Sequence, residues 1–227
     1  MSSDPNPLLL VLQHGDSFFP SGSVSFSWAL EGLCDDGELR GPDALFLFVI
    51  GQLRARWAGV DRPIVVAAHR SAFDFAKIVQ LDDLLDAMTL SREFREASRK
   101  LGGALLAIHR RLRTDGAQAF FEAGEKRSRD PHLAIAQGML WRRLGLQEDA
   151  AAAISGYFFC MSFLSAAIRL GLIGHFQSQL FLTDLGKEIA IILKSPSTDI
   201  QDIGAFTPHA DIASMRHETS HARLFSN

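Results

Sequence analysis

The sequence predicts an all-α protein: a single domain over residues 1–227, a bundle of roughly eight to ten helices ending in a C-terminal tail. Three observations predict it. Apolar residues recur at helical spacing almost throughout, and Pro, Asp and Gly stand where helices start and stop. No run of about four to eight residues alternates cleanly enough for a strand, although RPIVVAA would pass if taken alone. No segment recurs at a fixed period, which excludes a solenoid.

The elements follow in order. Residues 1–7 read as a flexible N-terminus, and Gly15–Gly22 is turn-rich. The Gly/Ser stretch SGSVS at 21–25 opens a helix toward Trp28, Leu30 and Leu33. Residues 42–59 begin with Pro-Asp and end on Gly59. The next helix is expected over 61–78, with Asp61 as N-cap and Pro63 in its first turn. In 91–113, Phe94, Ala97, Leu101, Leu105, Ile108 and Leu112 form the apolar stripe. Arg92, Glu93, Arg95, Glu96, Arg99 and Lys100 are placed on the opposite, polar side. Residues 131–146 form another helix, bounded by Pro131 and Gly145. Residues 150–168 carry no charge and approach the ~18–20 needed to cross a bilayer. Their Ala, Ser and Gly content and the Arg169 that follows favour a buried central helix over a membrane span. Residues 174–194 close the main run, with Lys194 at the negative end of the helix dipole. Turn-rich 195–208 leads into the tail, 205–227.

Composition narrows the function. At 227 residues and 47% apolar, the chain can bury a sizeable core. A formal charge of −3 and a pI near 6.2 argue against nucleic acid as a partner. The basic run HRRLR at 109–113 reads as a solvated helix end. Cys34 and Cys160 are too sparse for a disulfide framework, and the N-terminus lacks a basic n-region, so a cytoplasmic location is expected. No phosphate loop is present: Lys187 follows Gly186, but Phe181 stands where the first Gly belongs. G-x-S-x-G is absent, and no cofactor is expected.

The tail holds HETSH, residues 217–221, the H-E-x-x-H spacing of zinc peptidases. A catalytic zinc needs a third protein ligand, usually downstream, and ARLFSN after His221 offers none. A zinc-dependent hydrolase is therefore the lesser reading, and no metal ligand is assigned. The eight histidines are expected mostly at the surface or half-buried; His209, His217 and His221 stand close enough in the tail for a transient divalent site.

Five collinear segments carry a resemblance. LLVLQHGDSFFPSGSVSFSWALEGL is similar to the opening motif of the urease accessory protein UreF family, D-S-x-F-P-[ST]-G-G-F-x-H-S-x-G-L-E. SREFREASRKLGGALL, HLAIAQGMLWRRLGL and SAAIRLGLIGHFQSQ resemble its internal helices, and DIASMRHETSHARLFSN its terminal signature. The motif keeps Asp16, Ser17, Phe19, Pro20, Gly22, Ser27, Leu30 and Glu31. It departs at Val24, Phe26 and Ala29 (usually Phe, His and Gly), and at Leu172 and His175 (usually Pro and Gln). His221 occupies a position more often held by Tyr, which makes the zincin spacing incidental.

The resemblance implies an all-α, non-catalytic adaptor that forms homodimers and binds the scaffold UreD (also called UreH). That complex recruits UreG, a nickel-binding GTPase, and delivers Ni²⁺ to the urease apoprotein. A helical adaptor for some other complex is the remaining alternative. Partner binding is expected at Phe19, Pro20, Gly22 and Glu31 of the opening motif, at Arg169, and at Met215, His217, Glu218, Arg223, Leu224 and Phe225 of the tail. The tail joins an apolar anchor to an arginine fork, the residue types of interface hot spots. Its ordering on the scaffold would make assembly tunable, and a cut after Ser214 is expected to abolish binding while sparing the core.

Overall fold

A computed structural model describes residues 6–16, 19 and 26–218, and among them there is no strand. The helices are α1 (Pro7–Gly15), α2 (Leu30–Asp35), α3 (Gly41–Gln52), a π-helical segment (Leu53–Asp61), α4 (Arg62–Arg70), α5 (Phe75–Met88), α6 (Arg92–Arg111), α7 (Ala117–Arg127), α8 (Leu133–Arg143), α9 (Glu148–Arg169), α10 (His175–Leu193) and α11 (Pro208–His217). Because α3, the π segment and α4 run on without a break, the described bundle has ten rods.

Side-chain caps set three of the helix starts among the described residues. Asn6 Oδ1 accepts the Leu8 amide at 2.9 Å and starts α1 already at Pro7. Asp74 and Ser91 cap α5 and α6 in the same way. One expected boundary is wrong. Asp61 caps nothing, since the rod passes straight through it in αR geometry, and its carboxylate meets Arg56 at 3.3 Å. The break comes instead at residues 71–74, where Asp74 supplies the cap, so the helix expected over 61–78 is two helices.

The charge-free stretch 150–168 lies within α9, which is long and apolar enough to span a membrane yet has 67% of that window buried in the fold. α9 packs on α10, α4 and α8. One cluster of the core joins α2, α3, the π segment, α9, α10 and α11; a second fills the space between α4, α5, α6 and α8. α4 and α8 approach closely at Gly138, where an added Cβ would sit 2.3 Å from Val65 O. The π segment buries Trp57 completely, and its indole donates to Ser155 Oγ at 3.3 Å.

Part of the polar face assigned to α6 turns inward. Arg99 reaches Asp82 at 3.4 Å and Asp86 at 2.6 Å, and Glu93 is buried. Five of the eight histidines are buried as well: His14, His69, His109, His132 and His217. Helical burial accepts imidazole where a neighbouring oxygen meets it, as His69 Nε2 meets Leu146 O at 2.8 Å.

Candidate functional site

Much of the expected tail is helix. α11 begins at Pro208 and lies against α2 and α6 with Ala210, Ala213, Ser214 and His217 inward. These positions recur at i, i+3, i+4 and i+7, one face of a helix. α2 is launched by a left-handed turn at Trp28 (φ 52°) and Ala29 (φ 70°), closed by the Leu30 amide donating to Ser27 O at 3.0 Å. Ala29 stands where the family pattern has Gly, the residue that tolerates this conformation best. The turn carries Glu31 inward, and Gly32 lets the α11 backbone close in, since a Cβ there would lie 3.0 Å from Ala213 O.

Around His217 the buried polar groups converge. Its Nδ1 lies 3.0 Å from Glu93 Oε1, and its Nε2 lies 3.3 Å from Glu31 Oε2, an ion-pair distance off the hydrogen-bond direction. All three side chains are buried, at 3%, 6% and 5% exposure for His217, Glu31 and Glu93. Ser214 Oγ donates to Glu93 Oε2 at 3.3 Å and shares a 2.6 Å hydrogen bond with Ser91 Oγ. At the rim, Arg92 pairs with Glu218 at 3.5 Å.

The expected site residues separate into groups. Glu31, His217, Glu218 and Met215 come together around α11; Met215 is 42% exposed and Glu218 half-buried. Phe19 is buried elsewhere, its ring 4.8 Å from that of His14 and 6.1 Å from that of His109. His109 and Glu93 are sixteen residues apart along α6, about 24 Å. Arg169 stands exposed at the end of α9. Pro20, Gly22, His221, Arg223, Leu224 and Phe225 lie outside the described residues. The cut after Ser214 is no longer a clean test, because it removes the imidazole that two buried carboxylates face.

Sequence reasoning missed Glu93, Ser91 and Ser214. The signal for Glu93 was its place four residues before Ala97, on the Ala97–Leu101–Leu105 stripe. Two departures from the family pattern have a plain packing sense. Phe26 is buried with Ala97 and Leu101, and Leu172 uses the amide that Pro would lack to donate to Ala167 O at 3.0 Å. His217 meets carboxylates through both ring nitrogens, and among the described residues no three His, Cys, Asp or Glu groups are arranged for a metal.

A sequence model of the UreF family matches residues 39–186. The chain belongs to the UreF family. A urease accessory protein UreF of Trichodesmium erythraeum is 30% identical over 236 aligned positions, covering the whole of both chains. One from Rhizobium meliloti is 30% identical over 98% of this chain and 97% of its own. The Yersinia enterocolitica UreF is 28% identical over 97% and 98%. UreF membership thus extends to the opening turn and α11, which lie outside the matched 39–186 but inside these alignments.

Proposed function

We propose that this UreF-family chain is a non-catalytic adaptor in urease maturation: it joins a UreD/UreH-type scaffold, recruits a UreG-type GTPase and supports Ni²⁺ delivery to the urease apoprotein. The observation that carries the reading is the end-to-end alignment with proteins named urease accessory protein UreF. The chain acts as a homodimer in the cytoplasm, and the nucleotide chemistry belongs to the partner, since no phosphate loop occurs in this sequence. Nickel is cargo of the assembly. The tail surface suits an adaptor: Ile212 and Met215 face outward on α11 at 47% and 42% exposure, and Leu90 stands 67% exposed beside the Ser91 that binds Ser214. With Arg223, Leu224 and Phe225 following in sequence, this end of the molecule is the proposed scaffold-binding region. Arg169, Phe19, Pro20 and Gly22 are proposed to serve the other contacts of the assembly.

Co-expression of the tagged chain with UreD- and UreG-type proteins of the same source tests the reading. A stable three-protein complex, sized by light scattering after gel filtration, is the expected outcome. A chain that runs alone while both partners are soluble and folded would overturn the adaptor role.

A further inference from the structure

A cavity of about 90 Å³ lies between α6, α8, α9 and the π-helical segment. π-Helical turns are rare and recur at functional sites, and this one contributes Arg56, Trp57 and Asp61 to the wall. Phe94, Phe158, Phe159 and Phe163 supply flat apolar surface. Most of the polar groups there already have partners. Ser98 bonds His132 and the Leu133 amide, Ser155 takes the Trp57 indole, and Ser162 donates to Phe158 O. Arg56 pairs with Asp61 at 3.3 Å, and Thr207 donates to Asp211 at 3.2 Å. Five other groups on the same walls are different. The side-chain amides of Gln52 and Gln137 make no hydrogen bond among the described residues, although these residues are only 8% and 4% exposed. The indole N–H groups of Trp28 and Trp141, and His14 Nε2, likewise have no partner among the described residues. Leu10 O can only accept, so His14 Nδ1 carries the proton it shares at 2.9 Å. Its Nε2 is then a bare acceptor in the neutral ring that burial favours. Buried polar groups are nearly always bonded, so five around one space call for a hydrogen-bonding guest.

We propose that this cavity binds a small, neutral, planar amide such as urea or acetamide, its faces on the phenylalanine rings and its edge against the unpaired groups. The volume equals that of about three waters, room for one molecule of about four non-hydrogen atoms. The unpaired groups offer donors (the indoles and the glutamine NH₂ groups) and acceptors (the glutamine oxygens and the imidazole nitrogen). An amide presents the matching acceptor and donors along a single edge. The charged residues on the walls are Arg56, Asp61 and Asp211, and each already has a partner. An ion entering would therefore lose its water without gaining a free counter-charge. Water satisfies the polar groups but not the ring faces, whereas an amide meets both, and displacing water from apolar walls favours it. A mostly apolar space with a few convergent polar groups is the general form of a small-molecule site. The site stands apart from the adaptor reading and does not depend on it.

All three tryptophans of the chain border the cavity, so their indole signals report on it. In spectra of the ¹⁵N-labelled full-length chain, urea and acetamide should each move the Trp28 and Trp141 indole signals saturably. The Trp57 indole, already bonded to Ser155, should move less. Half-saturation is expected at about 0.1–10 mM, the range open to so few atoms. Urea is kept below about 50 mM, where its effect on folding is small and linear rather than saturating. Guanidinium and acetate, planar ions of similar size, should give no saturating shift up to the same concentration. Gln137→Leu takes one amide from the wall and should weaken urea binding about three- to tenfold. Gln52→Leu supplies the same test where the first variant does not fold. No saturating shift with either neutral probe overturns the proposal and makes the cavity a hydration site. An equal response to guanidinium overturns the assignment of a neutral guest. Unchanged affinity in both leucine variants places the binding elsewhere and overturns the site.

Discussion

His109 and His132 show how a buried imidazole ties this fold to pH. Burial, with the nearby His14 ring, pushes the His109 pKa down to about 3. Burial and the Arg99 guanidinium push that of His132 down to about 4 against the pull of Asp82 and Asp86. Both are neutral in the folded protein near pH 5, whereas in the unfolded chain they take up protons below about 6.5. The unfolded state therefore binds more protons, and their contribution is complete above about pH 6.5 and is lost as pH falls toward 4. Each adds a slope of up to about 1.4 kcal/mol per pH unit in that window. Denaturant midpoints at a series of pH values should fall steadily from pH 6.5 to 4.5, and His109→Gln should flatten the fall. Glu148, held below the usual carboxylate range by its hydrogen bond from Arg70, acts at lower pH. A midpoint that does not move above pH 4.5 would mean these rings meet water in the native state. At this scale the sequence was least legible. Glu93 looks like a surface charge until its partner arrives from 124 residues away.

At the scale of elements, close helix approach decides where small residues are obligatory. An added Cβ at Gly138 would lie 2.3 Å from Val65 O and 2.8 Å from Ala68 Cβ, both rigid parts of α4. Gly138→Ala should cost about 2–3 kcal/mol as α4 and α8 are forced apart. Gly186 on α10 has open space around its Cβ, so Gly186→Ala should be neutral or stabilise by up to about 1 kcal/mol. Thermal unfolding of the two variants beside the wild type checks both signs, and equal effects would refute the packing argument. Helix existence was legible because periodicity is a local property: the helices expected within 91–113, 131–146 and 174–194 all formed. The break between α4 and α5 was less so. Asp61 and Asp74 are both plausible caps, and only the uninterrupted π segment before Asp61 removes the first.

For the whole molecule, the tail is the part whose role depends on assembly. A cut after Glu218 keeps Glu31, Glu93 and His217 together while deleting Arg223, Leu224 and Phe225. Scaffold binding should be lost with the unfolding midpoint retained. A cut after Ser214 also removes His217 and should cost about 1–3 kcal/mol more, since it takes away a buried side chain and its hydrogen bond with Glu93. Gel filtration with the scaffold and a melting curve on each truncation separate the two effects. If the shorter chain melts like the longer one, the His217 contacts contribute nothing to stability. By itself the sequence determined the all-α class, the central apolar helix and the UreF family, because periodicity, capping and motif order are written along the chain. Only the tertiary structure decided that His217 of an apparent zincin motif faces two carboxylates, and that part of an apparent tail is a docked helix. Those facts follow from which helices approach closely, and that depends on glycines and buried charges whose partners lie far away in sequence.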